Sequence, residues 1–159
     1  MTMRRRDKEV VSRAEIDAVI QEANVCRLGL AMDNRPYVVP ISFGYDGEAL
    51  YIHTAPKGKK LDYIGANPRV CFEFETHVQI QTDDSDACKW TFEFESVIGY
   101  GTISELVSDA DKADGLNHVM RHYSGRDWAF ASKDLATTRV WRIEIDSLTG
   151  KRSAKKSTA

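Results

Sequence analysis

The chain of 159 residues carries a formal net charge of −2, and 42% of its residues are hydrophobic. This length is enough for one domain with a real core, which we place at residues 1–150, ahead of a basic tail at residues 151–159. The near-neutral charge excludes a generally basic surface, so we expect no nucleic-acid partner. The apolar runs are far shorter than a membrane-spanning helix and no signal peptide is visible, so we expect a cytoplasmic protein without membrane contact.

Cysteine and histidine spacing favours neither a disulfide framework nor a metal site. The three cysteines are an odd number without C-x-x-C spacing, and Cys26 and Cys71 lie in alternating apolar runs typical of core thiols. His118 and His122 are four residues apart on a predicted helix, the spacing of a zinc site, but no clear third ligand follows nearby. We therefore expect an exposed histidine pair and no metal.

The first third of the chain is predicted to form a helix and three antiparallel strands. Ser12 and Glu15 have the spacing of a capping box, and apolar residues then recur with a helical period, which predicts a helix over residues 13–24. Alternating residues predict strands separated by Asp33-Asn34 and Asp46-Gly47, over residues 26–32, 37–45 and 49–54. Pro40 cannot donate a ladder hydrogen bond, so we expect it at a bulge or an edge.

The rest of the chain continues the β pattern with two further helices. The patterns predict helices at residues 59–66 and 110–123, and strands from residue 70, at 77–82, at 88–106 and from residue 140. About six strands, with one helix in front and one before the last strand, favour an antiparallel barrel over a parallel α/β sheet.

Four motifs, taken in their order and spacing, resemble a known family. They are Tyr37-x-Val-Pro-Ile, Leu50-Tyr-Ile-His-Thr-Ala followed by Gly58-Lys-Lys-Leu, Asn67-Pro-x-Val-Cys-Phe, and Ser96-Val-Ile-Gly-x-Gly. The chain resembles the FMN-binding split barrels of the pyridoxamine-phosphate-oxidase-like superfamily over roughly residues 4–150. True oxidases carry an arginine near the position of Val39 and an Arg-Leu-His near their end, where this chain has Arg139-Val140-Trp141. The resemblance is therefore to the nitroimidazole-resistance branch.

The resemblance implies a mainly β protein with peripheral helices, a six-stranded antiparallel split β-barrel of Greek-key type that forms a homodimer with FMN at its interface. It implies that Lys60 binds the FMN phosphate with Lys59 as an assistant, and Thr54 is a weaker candidate in the same loop. Trp90 is interpreted either as a cover for the partner's flavin or, like Trp141, as a core or interface packing residue. The residues that the resemblance places beside the flavin ring are Val39, Pro40 and Ile41.

The lysine assignment also has a physical basis. A lysine at the start of a helix supplies positive charge where backbone N–H groups point outward, which suits a phosphate. Lysine pairs are also common on solvated surfaces, and that alternative stays open. His53 ends a predicted strand just before Gly58. It is interpreted either as a proton donor near the flavin or as a histidine that satisfies a hydrogen bond at a strand end.

The resulting hypothesis is an FMN-dependent oxidoreductase that reduces small electron-poor molecules such as nitro compounds. In such proteins the cofactor carries the chemistry and the protein binds and orients it. Two alternatives remain at this stage. One is a flavin-binding sensor or carrier without turnover, and the other is the same barrel holding haem or deazaflavin.

Overall fold

The computed structural model describes residues 5–153, in which strands and four helices pack around one large and one small buried cluster. The strands are β1 (Glu9–Val10), β2 (Cys26–Met32), β3 (Arg35–Ile41), β4 (Gly44–Tyr45), β5 (Ala49–Thr54), β6 (Arg69–Gln81), β7 (Thr91–Leu106) and β8 (Arg139–Arg152). The helices are α1 (Arg13–Glu22), α2 (Lys59–Ala66), α3 (Asp109–Ser124) and α4 (Ser132–Thr137). None of the helices in this part of the chain is long and apolar enough to cross a bilayer.

All eight strands belong to one antiparallel sheet. Its order is β3-β2-β6-β7-β8-β5-β4, and β1 pairs with β8. Ile41 of β3, at one end of this order, and Ile52 of β5, next to the other end, enter the same buried cluster as Phe72 of β6. The sheet therefore curls around its core as a barrel, as predicted. The expected strand count of six is wrong, since the two-residue strands β1 and β4 have too little alternation to be recognised.

The expected single strand over residues 37–45 is split in two. β3 pairs with β2 through a tight turn in which Asp33 and Asn34 have φ of 50° and 59°, as type I′ hairpins require. β4 instead pairs with β5 at the opposite end of the sheet order. Between them Phe43 is fully buried. The burial of Phe43 explains the break, because the chain crosses the core there and cannot stay in either ladder.

The start of α1 differs from expectation, whereas α3 begins with a side-chain cap. Ser12 is the N-cap residue of α1 but makes no side-chain cap hydrogen bond, so the predicted capping box does not form. Glu15 instead accepts a hydrogen bond of 3.1 Å from Arg152 of β8, which draws its carboxylate away from the helix start. In α3 the cap is Ser108, whose hydroxyl accepts from the Asp111 N–H at 3.1 Å.

The long strands β6 and β7 extend past the rest of the sheet. The predicted separate strand at residues 77–82 is the continuation of β6 beyond a bulge at His77, whose φ is +54°. Strand pairing of β8 with β7 begins only at Glu95. Residues 77–94 therefore form a projecting two-stranded arm, here called the β6–β7 arm. Its exposed apolar side chains include Ile80 and Phe92, which are directly opposite each other.

Helix α3 covers the outer face of β4 and β5. Val119 packs with Ala49 and Tyr51 in a second buried cluster. Contact is so close that a Cβ on Gly44 would lie 2.2 Å from the backbone carbonyl carbon of His118. Only a glycine allows the helix to approach β4 at this distance.

The end of the chain tests the expected tail only in part. β8 continues through Arg152, so Lys151 and Arg152 belong to the sheet. Residues 154–159, which hold the rest of the predicted basic tail, lie outside the described residues.

Candidate functional site

Strand β3 supplies an open sheet edge. It is the last strand in the sheet order, so the N–H and C=O groups facing away from β2 have no strand partner in residues 5–153. The edge position expected for Pro40 is confirmed. Pro40 is exposed, whereas Ile41 is buried and Val39 packs against the core. Val39 and Ile41 can therefore meet a ligand through their backbone, and Pro40 also through its ring.

Helix α2 begins beside this edge with two lysines. Gly58 precedes the helix with φ of +144° and open space around its Cα. The Lys59 ammonium lies 4.5 Å from the ring centroid of Tyr37 on β3, which fixes the start of α2 against the strand. No ion pair with a carboxylate is found for Lys59 or Lys60 among the described residues. Two cationic groups thus remain available to an anion.

His53 lies at the end of β5, opposite Val140 of β8, and its side chain is exposed. Partial loss of hydration among the surrounding protein atoms lowers the pKa of His53, and the positive charge of Lys60 lowers it further. This effect of Lys60 agrees with the short loop that joins the end of β5 to the start of α2. The imidazole is therefore more readily neutral than a free histidine at the same pH.

Thr54 has a different environment. It is 5% exposed, and its hydroxyl oxygen accepts a 3.1 Å hydrogen bond from the indole N–H of Trp141. Trp141 is itself 6% exposed, so its predicted packing role is confirmed. The Thr54 side chain holds the end of β5 to β8, and its suggested contact with a phosphate stays a prediction.

Trp90 is not brought together with the other candidates in this chain. It is 53% exposed near the tip of the β6–β7 arm, where its indole N–H donates to the Asp83 carbonyl at 2.7 Å. β6 has 13 residues between the end of α2 and this tip, a length of about 40 Å when extended. Contact between Trp90 and a ligand held by Lys60 would therefore require a second subunit.

Known protein families and solved structures provide a comparison for this fold. Residues 12–152 match the family model described as pyridoxamine 5'-phosphate oxidase. The chain belongs to this family. Among solved structures, it is similar to a candidate 5-nitroimidazole antibiotic resistance protein from Bacteroides thetaiotaomicron VPI-5482, with 27% identity and a TM-score of 0.80. That match covers 90% of this chain and 85% of the other.

Two further proteins are similar to this chain. An FAD-binding protein of Mesorhizobium loti is 27% identical with a TM-score of 0.67, covering 91% of this chain and 96% of the other. An uncharacterized protein of Rhizobium meliloti (strain 1021) is 36% identical over 64 residues, which are 40% of this chain and 42% of that protein. The match thus spans less than half the length of the Rhizobium relative.

In this family member the two helical histidines are not an exposed pair, so that prediction is wrong. His118 is half-buried and stacks on Tyr51 with ring centroids 4.2 Å apart. His122 contacts Phe43 and hydrogen-bonds through Nε2 to the Ala23 carbonyl at 2.8 Å. Packing of α3 on the barrel covers the face that they share. Within residues 5–153 no group of three or more His, Cys, Asp or Glu residues could hold a metal.

Sequence reasoning missed two features of the site region. Tyr37 was quoted as part of a motif but given no role, although its ring holds Lys59. A cavity of about 460 Å³ at the base of the β6–β7 arm was also not foreseen, and its lining includes His77, Phe94, Glu95 and Arg152. None of the predicted site residues lines this cavity. The alternation of β3 could have shown that Tyr37 and Val39 share a face, but not that α2 lies over Tyr37.

Proposed function

We propose that this chain is a cytoplasmic FMN-dependent oxidoreductase that works as a homodimer and reduces small electron-poor compounds of the nitro type. The observation that carries the proposal is the first turn of α2, where Lys59 and Lys60 lack carboxylate partners in the described chain. This turn lies beside the open edge of β3 and close to His53. The 27% identity to the candidate nitroimidazole-resistance protein supports the substrate class.

The residues present fit FMN. A phosphate bears about two negative charges and accepts hydrogen bonds from a lysine and from N–H groups at a helix start. Gly58 leaves open space next to that start, since a Cβ there would meet nothing within 4 Å. The unpaired edge of β3 offers backbone donors and acceptors along one side, as recognition of a flat heterocycle requires.

When bound, FMN supplies the electron transfer, and the side chains of the chain bind, orient and exchange protons. Lys60 holds the phosphate by a charge-assisted hydrogen bond. β3 orients the ring through its backbone. His53 passes a proton through its imidazole, and its lowered pKa makes the protonated form a stronger acid that is less populated near neutral pH.

The homodimer is supported by the outer face of the sheet. Val38 is paired with Gly29, Gly29 with Cys71, and Cys71 with Tyr100, so these four residues form one row across β3, β2, β6 and β7. Val38 and Tyr100, at the two ends of the row, are 63% and 50% exposed. Exposed apolar side chains of this kind are typical of a protein–protein contact. A second subunit on it would also account for the exposed Trp90.

Lys60→Ala tests the cofactor assignment. Loss of a charge-assisted hydrogen bond should weaken FMN binding by about 1.5–3 kcal/mol in a fluorescence titration. Lys60→Arg should retain part of the affinity. Lys133→Ala, on the exposed surface of α4, is the matched control and should bind like wild type. Equal FMN affinity in Lys60→Ala and Lys133→Ala would remove Lys60 from the site.

His53→Gln tests the reaction. It should keep fold and FMN content while lowering reoxidation of reduced flavin by a nitroimidazole by about 10²–10⁴-fold, the usual loss for a missing general acid. Stopped-flow absorbance measures that rate. An unchanged rate in a flavin-loaded variant assigns His53 to pocket lining. A wild-type protein that binds FMN but reoxidises no faster with substrate than in air is a carrier or sensor.

The assembly is tested separately by light scattering of the FMN-bound protein. The expected mass is twice the 17.9 kDa of one chain. A monomer with FMN fully bound would refute the dimer, and with it the contact of Trp90 with a partner's flavin.

A further inference from the structure

The two lysines at the start of α2 point to different parts of the barrel. Consecutive residues of an α-helix project about 100° apart, so they rarely serve one ligand atom together. Lys59 lies over Tyr37 of β3. Lys60, the next residue of the helix, therefore projects away from Tyr37, and its positive charge contributes to the lowered pKa of His53 on β5. Their charges are therefore divided between two sides of the candidate site.

An aromatic pair fixes the direction of Lys59. Its ammonium is 4.5 Å from the ring centroid of Tyr37 and 5.7 Å from that of Tyr63. These two rings are 5.2 Å apart, and Tyr63 is only 5% exposed, so the pair is firmly seated. A cation over an aromatic face gains about 0.5–1 kcal/mol at an exposed site. That attraction favours the conformation in which the Lys59 side chain lies over β3, relative to conformations in which it extends into solvent.

We infer that Lys59 places its positive charge beside the flavin ring and that Tyr37 is the residue that positions it there. The inference rests on the proposed function, in which the ring lies against Val39, Pro40 and Ile41. Tyr37 is two residues from Val39 on the same strand, about 7 Å away. A cation beside the ring favours the form of the ring that has gained electrons, because the added negative charge is attracted to it. Lys59 thus sets the reduction potential, and Lys60 holds the phosphate.

Riboflavin separates the two roles because it has the same ring without the phosphate. Lys60→Met should weaken FMN binding at least tenfold and leave riboflavin binding unchanged. Lys59→Met should change the affinities for FMN and riboflavin by the same factor. Isothermal titration of both ligands with wild type and with both variants gives the six constants that are needed.

The reduction potential provides the second measurement. Dithionite supplies two electrons to the bound FMN, and a reference dye reports the midpoint. A tenfold loss of preference for the reduced form corresponds to a shift of about 30 mV to more negative potential in a two-electron couple. We expect such a shift in Lys59→Met and in Tyr37→Leu, and none in Lys59→Arg. Tyr37→Leu keeps Lys59 itself, so its shift identifies positioning.

Two results for Lys59→Met would overturn the inference. Lys59→Met that loses FMN affinity but keeps riboflavin affinity would make Lys59 a second phosphate ligand and overturn the inference. An unchanged potential in Lys59→Met would do the same. A wild-type protein that binds neither FMN nor riboflavin would instead refute the proposed function, and the inference with it. Circular dichroism of Tyr37→Leu shows whether its barrel is intact, and the Lys59→Met potential decides the question if it is not.

Discussion

Thr54→Val is expected to destabilise the barrel because it removes the acceptor of a buried indole N–H. The hydrogen bond from Trp141 to the Thr54 hydroxyl is 3.1 Å long, and the two residues are 6% and 5% exposed. Valine has the shape of threonine, so packing is retained and the N–H alone is left unpaired. A buried donor without a partner costs about 1–3 kcal/mol.

Urea unfolding followed by tryptophan fluorescence measures this cost. With a loss of about 2 kcal/mol and a slope of about 2 kcal/mol per molar urea, the midpoint should fall by about 1 M. Thr91→Val is the matched control, since Thr91 is an exposed strand residue, and its midpoint should stay within about 0.25 M of wild type. A double-mutant cycle with Trp141→Phe should show coupling of about 1 kcal/mol. An equal midpoint for Thr54→Val and Thr91→Val would refute the structural role.

The same variant separates the two interpretations of Thr54. The loop that leads to Gly58 starts directly after Thr54, so a loosened strand end should weaken FMN binding less than Lys60→Ala does. If Thr54 instead contacts the phosphate, Thr54→Val should match the loss seen in Lys60→Ala and leave the urea midpoint unchanged. The stability and binding measurements together assign the residue.

Three further predictions follow from burial and charge. Gly44→Ala should lower the melting temperature by several degrees, since its Cβ would meet the α3 backbone at 2.2 Å; a wild-type melting curve would contradict this packing. In timed alkylation read by mass spectrometry, the exposed Cys88 should react first and Cys26 only on unfolding, because burial raises the pKa of the Cys26 thiol; equal rates would refute the order. Because the pKa of His53 is lowered from 6.5, the unfolded chain binds the extra proton just below this pH, and stability should rise with pH there. His53→Gln should lose that dependence in pH-resolved urea melts, and an unchanged dependence would remove His53 as its source.

Local sequence signals predicted those elements whose determinants lie within them. The strand at residues 49–54 and the helix at residues 59–66 have the predicted bounds. Asp33-Asn34 was recognised as a turn because few residue pairs tolerate two positive φ angles in succession. In each case the residues that decide the structure are neighbours in the chain.

The failures have a different origin. Glu15 has the correct spacing for a capping box, but Arg152, distant in sequence, competes for its carboxylate. His118 and His122 share a helix face as predicted, and the burial of that face depends on where α3 docks. Similarly, the break at Phe43 is set by the core that its ring enters. Long-range contacts decided each of these outcomes, and periodicity contains no information on them.

The two lysines of the candidate site illustrate both the local signals and the long-range contacts. The sequence could identify Lys59 and Lys60 as cations at a helix start, because Gly58 and the helical pattern adjoin them. The sequence pattern assigns both lysines to the phosphate, since no neighbouring residue in the chain distinguishes one lysine from the other. The distinction comes from Tyr37, which lies 22 residues earlier than Lys59 and reaches it only because α2 packs over β3. Under the proposed function, the role of each lysine is therefore defined by the strand that its side chain faces, and adjacent residues would contact the phosphate and ring ends of one ligand.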